Sequence, residues 1–174
     1  MNAVVYTSNT GYTKEYAQML GEKLSLPVCS LKDAGKVLEA DCEIIYLGWL
    51  MAGTVKGYRK AARRYRVKAV CGVGMGKSGS QLAEMRKNNS VPDEVALFSM
   101  QGGLDVTRLR GVYKFMMNTM KNTLGRKLAQ KPDKTAEEED MLDLLQNGGN
   151  RVNEQALEPL LQWCEARFAT VRQA

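Results

Sequence analysis

Ser8, Thr10 and Thr13 set three hydroxyls around Gly11 in the run Tyr6-Thr7-Ser8-Asn9-Thr10-Gly11-Tyr12-Thr13. Hydroxyls donate hydrogen bonds, and a glycine lets the backbone turn sharply and come close to a ligand. Where such a run joins a strand to a helix, the unpaired amides of the first helical turn and the positive end of its dipole face the same point. No lysine sits inside the run. The nest therefore suits a terminal phosphate monoester held by neutral donors rather than a metal-bound triphosphate. The same residues also suit a polar turn with a threonine N-cap.

Other reactive side chains are sparse. Histidine is absent, which excludes Ser–His and Cys–His nucleophiles and removes the commonest metal ligand. Cys29, Cys42, Cys71 and Cys164 form no C-x-x-C pair and read as small apolar residues, so no metal site is expected. Cys71-Gly72-Val73-Gly74-Met75-Gly76-Lys77-Ser78 comes near the nucleotide P-loop G-x-x-x-x-G-K-S/T, but begins with cysteine. The next predicted strand ends Leu97-Phe98-Ser99-Met100, without the aspartate that would help hold Mg²⁺. Demanding chemistry would most naturally come from a cofactor.

The elements that must position these residues follow from periodicity. The first two-thirds of the chain alternates short apolar runs with helix-like stretches, the pattern of a parallel sheet flanked by helices. Strands are predicted at 3–6, 27–30, 43–48, 68–73 and 94–100, and helices at 13–24, 55–65 and 80–87. Beyond Gly102-Gly103 come a Met-rich helix over 106–124, an acidic one over 136–145 and an amphipathic one over 153–168. Asn147-Gly148-Gly149-Asn150 is a breaker between the last two. With no repeat or low-complexity linker, the 174 residues read as a single α/β domain, 1–174, with a helical C-terminal extension from 105 onward. Met1-Asn2-Ala3-Val4-Val5-Tyr6 lacks a basic n-region and a long apolar run. No signal peptide or membrane span is expected, and a cytoplasmic location is the default.

Ser8-Asn9-Thr10-Gly11-Tyr12-Thr13 resembles the flavodoxin pattern S/T-x-S/T-G-x-S/T, in its place after an N-terminal strand, and the order of elements agrees through the fifth strand. The resemblance implies a flavodoxin-like five-stranded parallel sheet, order 2-1-3-4-5, with helices on both faces. It implies bound flavin mononucleotide (FMN), its phosphate held by Ser8, Asn9, Thr10, Gly11, Tyr12 and Thr13. Ligands in such sheets lie beyond the carboxyl ends of the strands, which brings in two further loops. In Trp49-Leu50-Met51-Ala52-Gly53, Trp49 or a neighbour would contact the flavin. A loop so apolar would be penalised by water unless a ligand covered it, although Trp49 would equally plug the edge of the core. Gly74-Met75-Gly76 would cup the pyrimidine end of the ring. That loop lacks the aromatic and acidic residues flavodoxins often place there.

The formal net charge of +6 points to anionic partners. Electron-shuttling flavodoxins are typically acidic, whereas seven Lys and Arg residues fall between Lys56 and Lys68 here. That run reads as a solvated helix face or as the edge of a flavin site. With Tyr58 and Tyr65 interleaved, it also raises a nucleic-acid-binding module, the least favoured reading. Tyr113-Lys114-Phe115-Met116-Met117 is similar to the C-terminal region of flavodoxin-fold protoporphyrinogen oxidases, which pass electrons to menaquinone. This resemblance implies a porphyrin or quinone partner; a redox partner protein is the alternative for an electron carrier. The Met-rich helix itself suits a core element or one lying against a membrane or a large apolar substrate. Tyr12, Tyr58 and Lys56 are candidates for an acid or base, with nothing to choose among them.

Overall fold

β3 (Glu43–Met51, Glu-Ile-Ile-Tyr-Leu-Gly-Trp-Leu-Met) is an unbroken apolar run, as a strand buried on both faces requires. In the computed structural model, which describes residues 1–172, it is the centre of the main sheet. It pairs in parallel with β1 (Ala3–Thr7) on one side and β5 (Arg66–Gly74) on the other. β2 (Val28–Ser30) lies outside β1, and β6 (Ala96–Gln101) outside β5. The five parallel strands stand in the order expected of a flavodoxin-like sheet, and the two-residue β4 (Thr54–Val55) adds an antiparallel hairpin to β3.

Side chains alternate between the two faces, as the strand period of two demands. Ala3, Val5, Ile44, Tyr46 and Val70 point to one face, beneath α2 (Ala34–Val37), α3 (Tyr58–Ala62) and α4 (Leu82–Asn89). Val4, Ile45, Leu47, Ala69, Cys71 and Val73 point to the other, beneath α1 (Tyr12–Leu24) and the C-terminal helix. α1 buries Thr13, Tyr16, Ala17, Leu20 and Gly21, an i, i+3, i+4, i+7, i+8 stripe. Its Leu20 and the C-terminal Leu157, Leu160 and Cys164 are fully buried in the same cluster.

The extension is a second layer built over one end of the sheet. β7 (Gly103–Leu104) pairs with β8 (Gly149–Asn150), so the predicted breaker is partly a strand. α5 (Gly111–Met120) continues through a π-helical turn (Lys121–Gly125) into α6 (Arg126–Gln130). α7 (Ala136–Asn147) starts with a Thr135/Glu138 capping box, and a 3-10 turn (Glu154–Leu157) leads into α8 (Glu158–Arg172). Leu104, Leu109, Leu128 and Leu145 form the core of this layer. Gln101 Nε2 and Arg151 Nε both donate to Asp140, joining it to the sheet.

Two predicted elements differ. The helix expected over 55–65 is only α3, because Val55 is drawn into the β3–β4 hairpin, which turns through Ala52 and Gly53 at φ 47° and 69°. Positive φ at both central residues is the two-residue hairpin geometry. Gly57, at φ 86°, then resets the chain direction, and a Cβ there would lie 2.1 Å from Tyr46 Oη. The Met-rich helix starts at Gly111 rather than 106, because residues up to Leu109 fold into turns around Asp105.

Leu160→Ala should lower unfolding free energy by about 2–5 kcal/mol, a buried leucine's cost. Val37→Ala, at a site 67% exposed, should change it by less than about 0.5 kcal/mol. Urea melts of both variants check this, and equal losses would contradict the assignment of α8 to the core.

Candidate functional site

The carboxyl ends of β1, β3 and β5 open together beneath the extension, enclosing a cleft of about 710 Å³. It is lined by Asn9, Thr10, Tyr12 and Thr13 from the first loop, by Trp49 to Gly53, and by Gly74, Met75 and Gly76. Apart from Ser8 and Gly11, the residues singled out in three separate stretches of sequence therefore meet in one place. Ser8 and Gly11 line an adjoining cavity of about 620 Å³, and Asn9 borders both.

The first loop is shaped by Gly11, at φ 110°, a conformation that L side chains rarely adopt. Its amide donates to Ser8 Oγ at 3.1 Å, which leaves the Ser8 hydroxyl hydrogen free. No side chain caps α1, so the amides of its first turn stay available to an anion. Thr13 is 2% exposed, lines the cleft and makes no side-chain hydrogen bond among the described residues. Tyr65 Oη is the one fully buried side-chain polar atom without a partner among the described residues, so the Thr13 hydroxyl keeps some accessible surface.

A cation meets this loop from far along the chain. Arg108 Nη1 donates to the Thr10 carbonyl at 2.9 Å, while Asp105 holds its Nε at 2.9 Å. A Cβ on residue 11 would come within 3.1 Å of the same Nη1. Sequence reasoning missed Arg108, since 97 intervening residues separate it from Thr10 and only the β7–β8 layer brings it back. On the loop's other side Lys14, Lys32 and Lys60 line the adjoining cavity, none in an ion pair among the described residues.

The second wall departs from expectation: Trp49, Leu50 and Met51 lie in β3 itself, because the strand runs on to pair with β4, and only Ala52 and Gly53 form the turn. Trp49 meets Tyr113 of α5 edge-on, ring centres 5.1 Å apart, with Lys56 Nζ 5.8 Å above its ring. Buried Asn89 clamps the hairpin to α4. Its Nδ2 donates to the Gly53 and Met85 carbonyls at 2.9 and 2.7 Å, and its Oδ1 accepts from the Val55 amide at 2.9 Å. The third wall is held by Gln101, whose Nε2 donates to the Met75 carbonyl at 3.1 Å. Tyr113, Met117, Met120 and Leu124 cover the cleft from above.

Proton chemistry finds little here. Among the lining residues Glu84 is the one carboxylate, and none is a Lys, Arg or His. Burial first, then Asp105, raise the Tyr12 phenol above its usual value against the pull of Arg108, so it stays a neutral hydrogen-bonding group. Behind it burial pushes Tyr16 up to about 12; its hydroxyl donates to the Gln101 carbonyl at 2.6 Å. Tyr58 and Tyr65 are each 4% exposed, leaving no open ring for a nucleobase and no role for Tyr58 in the cleft. Cys71 to Gly74 are strand, Lys77 pairs with Glu137 at 2.8 Å, and α4 begins only at Leu82. The P-loop likeness therefore has no structural counterpart, since that motif needs its Lys-Ser/Thr at a helix N-terminus.

The lining sets neutral donors of the first loop at one end, with Arg108 against the Thr10 carbonyl beside them, and an apolar surface with the Trp49 indole at the other, a division that suits a ligand with an anionic end and an apolar ring. Comparisons with protein-family models, with curated proteins and with solved structures find no match for the chain. The geometry of the cleft carries its functional reading.

Asn89→Ala should free the hairpin from α4 at a cost of about 1–3 kcal/mol and speed hydrogen exchange at the Val55 amide. An unchanged Val55 rate would show that the clamp does not hold this wall.

Proposed function

We propose that the chain binds FMN in this cleft and acts as an FMN-dependent redox protein. The observation that carries the proposal is the single cleft joining an uncapped, glycine-turned helix start to an aromatic wall on β3 and a glycine wall on β5. Bound FMN would supply electron or hydride transfer.

The protein's own work would be binding, orientation and exclusion of water. Ser8, Asn9, Thr10 and Thr13, with the first-turn amides of α1, would hold the phosphate, and Gly11 would let it approach. Trp49, Leu50, Met51, Ala52 and Gly53 would wall one side of the ring, Gly74, Met75 and Gly76 the other. α5 would close over both. Nearby cations favour the more negative of two redox states, so Arg108, Lys56 and Lys14 would raise the potential above that of an acidic flavodoxin. With Glu84 the lone carboxylate in the lining, protons would have to travel with substrate or water.

The cleft also continues along Phe115, Met116, Thr119 and Thr123 of the extension. The Phe115 and Met116 side chains in that continuation favour a bulky, largely apolar redox partner, a porphyrinogen or quinone, over a carrier protein.

An absorbance titration with FMN, with riboflavin in parallel, tests the reading. FMN should bind at micromolar concentration with shifted and sharpened visible bands, and more tightly than riboflavin. Arg108→Gln should weaken FMN by about tenfold, or about 1.4 kcal/mol, and leave riboflavin unchanged. Gly11→Asp should abolish FMN binding while the far-ultraviolet circular dichroism stays native. Undiminished FMN affinity in Gly11→Asp would contradict the phosphate assignment.

A further inference from the structure

α5 turns two apolar faces outward from its own axis. Tyr113, Met117 and Met120 face the cleft and the core of the extension. Val112, Phe115 and Met116 face solvent, 61%, 72% and 44% exposed. Val37 is the one other large apolar side chain so exposed among the described residues, and it stands alone. Scattered exposed apolar residues are normal, but a contiguous patch on one helix marks a surface that something covers.

The charges of the same segment bear on what covers it. From Val106 to Pro132 the chain has no acidic residue. Arg110, Lys114, Arg126 and Lys127 are exposed and make no ion pair among the described residues. A basic segment without acidic residues that exposes a short apolar face fits the boundary of an anionic bilayer, where rings and thioethers enter the acyl region and ammonium and guanidinium groups meet phosphates. A second copy of the chain fits worse: a symmetric pair through this face would bring the cations of both copies to one interface, and the segment from Val106 to Pro132 has no acidic residue to pair with them. No helix of the described residues is long and apolar enough to cross a membrane, so the contact is at its surface.

We propose that Val112, Phe115 and Met116, with Arg110 and Lys114 of the same segment, dock the protein on anionic phospholipid. Phe115 and Met116 also line the mouth of the cleft, so docking sets that mouth against the bilayer, where an apolar ligand reaches it without crossing water. The docking itself does not depend on what occupies the cleft.

Vesicle co-sedimentation of the full chain, without added flavin, tests this. Vesicles of phosphatidylcholine with phosphatidylglycerol should sediment the protein, and pure phosphatidylcholine vesicles should sediment it about tenfold less well. Phe115→Ser/Met116→Ser should abolish sedimentation, and Arg110→Glu/Lys114→Glu should weaken it by about tenfold or more. Both pairs are exposed, and native circular dichroism checks that the fold is kept. Phe115→Trp should show blue-shifted emission on the anionic vesicles. No sedimentation on anionic vesicles at low salt would overturn the proposal, as would sedimentation undiminished by Phe115→Ser/Met116→Ser. Concentration-dependent dimers that this double variant dissolves would overturn it too, and give the face to a second copy.

Discussion

Parallel pairing of β1, β3 and β5 commits the chain to a particular kind of site. Hydrogen-bonded side by side and covered on both faces by helices, these strands can release their loops in one place only, beyond their carboxyl ends. Three stretches distant in sequence are forced together there, and the sheet itself supplies nothing to fill the space between them. Ile44, Ile45, Tyr46 and Leu47, all fully buried, fix the strand from which Trp49 and the hairpin turn project. A change that loosened this centre would move every wall of the cleft at once.

The cleft is furnished for holding rather than for proton transfer. Backbone amides and hydroxyls gather at one end, with the Arg108 guanidinium on the Thr10 carbonyl beside them, and apolar and glycine surfaces at the other, with a single carboxylate in the lining. The extension finishes it: the β7–β8 pair returns Arg108 to the first loop, and α5 sets Tyr113 edge-on against Trp49. In the reading proposed above, a bound group brings the reactivity, and the chain determines how that group is oriented, how dry it is and what charge surrounds it.

Much of this was legible from residue types alone. The buried strands announced themselves as apolar runs, and the loop from Ser8 to Thr13 by its hydroxyls and glycine, because such features depend on neighbours close in sequence. What escaped depends on distant partners. β3 runs past Gly48 to Met51 because β4 offers it a pairing edge, and the helix expected over 55–65 shrinks to five residues for the same reason. β7 and β8, two residues each, are too short to show a period. Arg108 looked like any surface arginine until the extension folded back. The basic run from Lys56 to Lys68 proved dispersed: Lys56 reaches Trp49, Lys68 pairs with Glu43 at 3.2 Å, and Arg59 donates to the Asn88 carbonyl.

The central claim is that one ligand spans both ends of the cleft, phosphate at α1 and ring at β3. A ¹⁵N-resolved NMR titration reads both ends in a single sample, through the amides of Thr10 to Thr13 and the indole N–H of Trp49. With FMN both sets of signals should shift together along one binding curve, while riboflavin should move the indole and leave the loop amides nearly still. Shifts confined to the residues around Lys32 and Lys60, with Trp49 unmoved, would contradict the account and place the anion site on the other side of the loop.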